Sequence, residues 1–322
     1  MKALFLAAAL MLILPLPALA QQNAEEIAAL RAQDVALAKV VERLQAANLP
    51  MCAERMPLTG MIYHTRDQYG APPAAWFANG PVSVAAVVPG GPAEAAGIAT
   101  GDALVALNGA QLATLVPEKE HPQRDAVFSL IARSADAPLR FVVRRDGVDR
   151  EVVLEAPAGC RILAEILTSN AIRALSDGRV LQVSYGLASR LTEDELAVVA
   201  AHELSHAILA HRWRLTQAGV KKGLLAEFGR NRRLGRQVEV EADRLSVHLL
   251  ANAGYDPAIA PAFWRSEAGD AVDGGLLRSG VYPSRQRRGE IVAEEIAEYL
   301  VPRDGPSWPA HLLDMRTRPL ED

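Results

Sequence analysis

The chain has very little cysteine: Cys52 and Cys160 are the only two among 322 residues, and they do not form a C-x-x-C pair. That excludes a disulfide-dense miniprotein and a cysteine-built zinc knuckle, and leaves two inert core thiols or one bridge. A bias toward one charge sign is also missing, since 34 basic side chains face 38 acidic ones for a net charge of -4. No whole-chain electrostatic footprint for nucleic acid exists. Repeats and low-complexity stretches are absent, and no apolar run reaches the length of about 18 residues that a membrane-spanning helix requires. Aromatic residues make up 5% and charged ones 22%, while apolar residues make up 50%, which is the composition of an ordinary globular protein. At about 150 residues per domain, the length predicts roughly two domains.

The N-terminus reads as a leader. Lys2 precedes the apolar run Ala3 to Leu14, followed by Pro15, Pro17 and the small-residue site Ala18-Leu19-Ala20. This order of basic, apolar and cleavable segments predicts a signal peptide over residues 1–20, and the apolar core is too short to span a bilayer. The chain is therefore expected to be exported, periplasmic if the source is a Gram-negative bacterium and otherwise secreted, with no transmembrane segment after cleavage. Export makes a Cys52–Cys160 bridge permissible. Residues 21–52 are expected to form a helical arm docked on the body, because Ile27, Leu30, Leu37, Val41 and Leu44 recur at helical spacing over 23–47.

Between about 53 and 157 the pattern changes to short β-rich runs divided by glycine and proline. Strands are expected at Val82 to Val88, Ala103 to Leu107, Leu139 to Arg144 and Arg150 to Leu154, with a helix from Gln123 to Arg133. The stretch Val88-Pro89-Gly90-Gly91-Pro92-Ala93-Glu94-Ala95-Ala96-Gly97-Ile98, continuing through Gly101-Asp102 to Asn108-Gly109, resembles a PDZ domain of the kind found in exported proteases. That resemblance implies capture of an extended peptide by strand addition, with Leu58, Thr59, Gly60 and Met61 as the loop that would hold its terminal carboxylate.

From 158 to 322 the chain is predominantly helical and carries the chemistry. Thr192 and Glu195 make a capping box ahead of a helix containing His202, Glu203 and His206 as H-E-x-x-H. Four residues apart, the two imidazoles lie about 40° from alignment and can reach one ion, while Glu203 stands beside them as a candidate general base. A tetrahedral catalytic zinc needs a third protein ligand. The metzincin positions for that ligand and its glycine hold Arg212 and Leu209, so that pattern fails, and His211 reads as a surface residue or a cation near the helix end. A better source is Glu239-Val240-Glu241-Ala242-Asp243, early in a second helical stretch. There Glu239 and Asp243 share a face, so one carboxylate could ligate and the other take a histidine N–H. The basic stretch 212–236 reads as a solvated loop. His64 and His248 show no partner spacing and read as structural.

H-E-x-x-H followed by E-x-x-A-D on a second helix resembles the HtpX and CAAX prenyl protease-like metallopeptidases, the gluzincins of peptidase family M forty-eight, over about half of the chain. The resemblance implies one Zn²⁺ on His202, His206 and Glu239, Glu203 as the base and Asp243 as the supporting carboxylate, with Glu241 on a variable position. It also implies that the strand Val180 to Ser184 edges the cleft and pairs with substrate. Where soluble members carry His-Pro-Ser this chain has Tyr282-Pro283-Ser284, making Tyr282 a candidate transition-state or regulatory group. The expected fold is α+β and multidomain: a PDZ-like β-rich domain followed by a mainly helical zincin domain. The expected function is an exported zinc metalloendopeptidase acting on envelope or misfolded proteins, with protein or peptide substrates and an envelope-protein partner at the PDZ-like domain. The rival is a non-proteolytic periplasmic adaptor or chaperone whose zinc is structural.

Overall fold

The computed structural model describes residues 16–117, 122–134, 137–176, 178–220, 229–273, 283–300 and 305–320, with side chains from Glu25 onward. The first element, α1 (Leu16–Ala47), begins inside the stretch read as a signal peptide and runs on without a break across Ala20. Pro17 sits in its first turn, where a missing N–H costs nothing. Leu37, Val40, Val41 and Leu44, three and four residues apart, enter the core of the helical unit. From another side of the helix, Val35 and Ala38 pack on Ile62, Ala86 and Val88 of the β-rich unit. The expected docked arm is thus a shared strut between the two units.

The β-rich unit contains β1 (Arg55–Pro57), β2 (Met61–Thr65), β3 (Val82–Val87), α2 (Pro92–Ala95), β4 (Ala103–Leu107), β5 (Ala110–Gln111), α3 (Gln123–Ala132), β6 (Leu139–Arg145), β7 (Val148–Leu154) and β8 (Ala158–Cys160). Its main sheet is antiparallel in the order β2-β3-β4-β6-β7, with β5 paired to β4. Asn108-Gly109 and Asp146-Gly147 both have positive φ at two successive residues, as the two-residue hairpins joining β4 to β5 and β6 to β7 require. Alternate β6 residues Leu139, Phe141 and Val143 point into a core shared with Val127, Phe128 and Ile131 of α3.

β1 and β8 pair with each other rather than with that sheet, Arg55 opposite Cys160. They form a two-stranded stem at the base of the unit. Cys52 and Cys160 are bonded beside it, with Cα atoms 5.4 Å apart, closing a separation of 108 residues. The chain-entropy model assigns such a loop about 4–5 kcal/mol.

The helical unit contains β9 (Leu163–Leu167), β10 (Ala174–Ser176), β11 (Val180–Ser184), α4 (Tyr185–Ala188), α5 (Glu193–Ile208), α6 (His211–Gln217), α7 (Gly229–Asn252), α8 (Ile259–Arg265), α9 (Glu267–Asp273), α10 (Arg285–Tyr299) and α11 (Ala310–Leu313). Two expectations are corrected here. β11 is a central strand, with β10 antiparallel on one side and β9 parallel on the other, so Val180 to Ser184 has no edge left for a substrate backbone. The basic stretch 212–236 is also largely helical among the described residues, because Leu234 and Val238 anchor α7 against Leu320 while Arg230, Arg232, Arg233 and Arg236 face outward. α7 therefore starts ten residues before Glu239, which lies near mid-helix. No described helix is long and apolar enough to cross a membrane.

Candidate metal centre

α5 is nucleated by its cap. The Glu195 N–H donates to Thr192 Oγ1 at 3.3 Å and the Thr192 N–H donates back to Glu195 Oε2 at 2.9 Å, with three acids in the first turn facing the positive helix end. The helix is buried along Leu196, Ala200 and Leu204, and it packs against α7. That crossing brings His202, His206 and Glu239 together. The two Nε2 atoms are 3.1 Å apart, and Glu239 Oε2 lies 3.2 Å from His202 Nε2 and 3.6 Å from His206 Nε2. Glu239 Oε2 is buried yet makes no hydrogen bond. An orphaned carboxylate oxygen facing two imidazole nitrogens is the donor set of a cation site, and it suits zinc.

Both rings are oriented from behind. His202 Nδ1 lies 3.0 Å from Asp243 Oδ1, four residues beyond Glu239 on the same helix. Arg288 of α10 donates to both Asp243 oxygens at 2.7 and 2.8 Å, and its guanidinium stacks 3.4 Å over Trp264 of α8. Burial opposes the charged form of Asp243, but the Arg288 guanidinium outweighs it and holds the carboxyl below its usual range. Burial likewise works against a protonated His202, yet the neighbouring Asp243 and Glu239 carboxylates carry it up to about 9.

The support behind His206 was not expected. His211 is buried, not exposed: Ala210 adopts left-handed geometry at φ 53°, which turns the chain so that α6 begins with His211 under α5. Its Nδ1 is 2.9 Å from His206 Nδ1 and its Nε2 is 3.1 Å from Glu241 Oε2. Burial pushes His211 down to about 4, so it is neutral. One tautomer assignment satisfies the row: His206 donates Nδ1–H to His211, His211 donates Nε2–H to Glu241, and His206 keeps its Nε2 lone pair for the cluster. Glu241 is also held by Arg214 and by Gln237 Nε2 at 2.9 Å, and despite burial its bonds to His211 and Arg214 lower it to about 2. His211 and Glu241 thus brace the His206 ring, and His211 is not the surface residue expected of it.

Glu203 is half-buried beside the cluster and has no hydrogen bond or ion pair among the described residues. Tyr282 lies outside the described residues. Leu58 to Met61 form the turn into β2, far in sequence from the cluster, with Gly60 at φ 64°. His64 is buried against Phe77 at 4.5 Å between ring centroids. A second group, His248, Glu295 and His311, also has metal-like composition, but its donors already satisfy one another. Both rings bond Glu295 Oε1, at 2.9 and 2.8 Å, and Arg244 occupies Oε2 at 2.5 Å. A guanidinium on the carboxylate disfavours a cation there.

Residues 83–145 match the PDZ domain family, the stretch from β3 to the end of β6. The chain is also similar to two proteins named mitochondrial metalloendopeptidase OMA1. It is 28% identical to the one from Arabidopsis thaliana over 144 residues, 37% of this chain and 28% of that protein. It is 28% identical to the one from Schizosaccharomyces pombe over 134 residues, 35% of this chain and 39% of that protein. The aligned region therefore spans well under half of either relative.

Proposed function

We propose that this chain is an exported zinc-dependent metalloendopeptidase with an HtpX-like site, in which His202, His206 and Glu239 hold the ion. The carrying observation is the orphaned Glu239 Oε2 facing two imidazole nitrogens whose other ring nitrogens are already engaged. When bound, zinc would supply the Lewis acidity that makes a water nucleophilic at neutral pH and polarises a peptide carbonyl. Asp243 fixes the His202 ring and, through His211, Glu241 fixes the His206 ring, so both present Nε2 without rotamer search. Glu203, which has no competing partner among the described residues, takes the proton of the attacking water and delivers it to the leaving amine. A structural site needs no such carboxylate, which favours hydrolysis over the adaptor reading. The similarity to metalloendopeptidases supports the same choice. Since β11 is covered on both sides, substrate is proposed to pair with the outer edge of β10, which among the described residues bonds only β11. The PDZ-like unit would bind peptide segments of envelope or misfolded protein substrates.

Glu203→Gln tests the reading. The variant should keep one zinc per chain and lose casein cleavage by at least about a hundredfold, the scale of a lost general base. Undiminished cleavage would contradict it.

A further inference from the structure

The loop expected to receive a peptide's carboxylate already holds one. The Gly60 N–H donates at 2.8 Å to Oε1 of Glu42, a residue of α1. The neighbouring Met61 N–H is taken by Thr59 Oγ1 at 3.3 Å. Glu42 is largely withdrawn from solvent, and burial raises its carboxyl above the usual range while the Gly60 bond opposes the rise. Among the described residues, that backbone amide is the one hydrogen-bond partner of this half-buried carboxylate.

Its surroundings have the form of a peptide groove. β2 is the edge strand of its sheet, bonded only to β3 among the described residues. α3 lies beside it, tied at one end by the Arg124 N–H to Thr65 Oγ1 at 3.1 Å. Between the loop, β2 and Ile131 of α3 remains a cavity of about 40 Å³, lined by Leu58, Met61, Ile131 and Leu163 and reached by Glu42. Leu163, the first residue of β9, packs against the PDZ-like core from this side.

We propose that Glu42 is an internal stand-in for a peptide C-terminus. The loop Leu58 to Met61 is a carboxylate site whose exchangeable ligand is an extended peptide ending in an apolar residue with a free carboxylate, and that peptide must displace Glu42 to bind. The apolar cavity sets the preference for the last side chain, and the loop amide sets the need for a free carboxylate. Because α1 also packs in the core beneath the metal helix, displacement is transmitted to the helical unit. This rests on the reading of the β-rich unit as a peptide-binding PDZ-like domain.

The test is fluorescence anisotropy with the full chain and a dye-labelled heptapeptide ending in valine, as free acid and as C-terminal amide. Wild type should bind the acid weakly, Glu42→Ala at least tenfold more tightly, and neither should bind the amide. Glu42→Gln, which keeps the shape and an acceptor oxygen but no charge, should fall between them and guards against misfolding of the alanine variant. Equal affinity of all three proteins, or equal binding of acid and amide, overturns the proposal. Peptide binding is read without cleavage, so either failure leaves the Glu203→Gln test of proteolysis untouched.

Discussion

The two units bury charge in different places. In the PDZ-like unit the core itself is apolar and the buried charges stand at its margins: among the described residues Asp102, tied to Arg145 and to the Ala99 N–H, braces a turn against a hairpin, and Arg124 of α3 pairs with Asp125 and with Glu165 of β9. In the helical unit buried charges form networks inside the helix packing: Asp243 with Arg288 behind His202, Glu241 with Arg214 and His211 behind His206, and Glu295 with Arg244 and His248 apart from both. A buried ion pair seldom improves on well-packed apolar residues as a source of stability. Two of the helical unit's networks fix the orientation of a pair of imidazoles. The β-rich unit's buried pairs instead brace a turn and the contact of α3 with β9.

Substitutions that treat the two units alike break this comparison most sharply. Arg288→Met strips Asp243 of its counter-ion and is expected to cost about 3–5 kcal/mol, the scale for half of a buried pair, read by urea unfolding of the metal-free protein. A loss under 1 kcal/mol would mean that the buried network does not matter. Replacing Cys52 and Cys160 together by alanine should cost about 2–5 kcal/mol and loosen the stem of the PDZ-like unit, which limited proteolysis near residues 52–57 and 158–161 would report.

Asp34 ties the shared α1 to β9 of the helical unit, since its Oδ1 accepts the Ile166 N–H at 3.2 Å. Burial raises its carboxyl to about 7. A raised acid binds its proton in the folded state above the unfolded value of about 3.9, so its contribution is largest below pH 4 and falls as pH rises to about 7. Asp34→Asn should therefore raise Tm at pH 8, by a free energy on the order of 2 kcal/mol after allowing for relaxation, and leave Tm at pH 4 unchanged. A lower Tm at pH 8 would contradict this sign. At the small end, Arg144→Ala removes an exposed pair with Asp149, both about two-fifths accessible, and should leave Tm unchanged.

Legibility in the sequence followed the same divide. The β-rich unit was readable nearly element by element, because Asn108-Gly109 and Asp146-Gly147 announce hairpins and residues alternate between faces. β4 runs from Ala103 to Leu107 as expected, and α3 ends one residue early at Ala132. In the helical unit H-E-x-x-H and the Glu239 to Asp243 segment were visible because their spacing is local. Their supports were not: Arg214 and Glu241 are 27 residues apart, and Arg288 lies 45 beyond Asp243. His211 was misread because five residues past His206 is out of phase for one helix, and only the left-handed Ala210 brings it back. β11 reads in sequence as the strand at the cleft edge because nothing in the few residues of β10 signals a strand. α1 looked like an arm because helical periodicity reports an apolar face without saying how many surfaces cover it.

The central claim is a zinc ion shared by the two helices α5 and α7. Anomalous diffraction at the zinc edge from crystals of the full chain grown with stoichiometric zinc tests it most directly. The account predicts one strong peak about 2.0–2.2 Å from His202 Nε2, His206 Nε2 and Glu239 Oε2, lost in Glu239→Ala and kept in Glu241→Ala. A peak at His248, Glu295 and His311 instead, or one that survives Glu239→Ala, would contradict it.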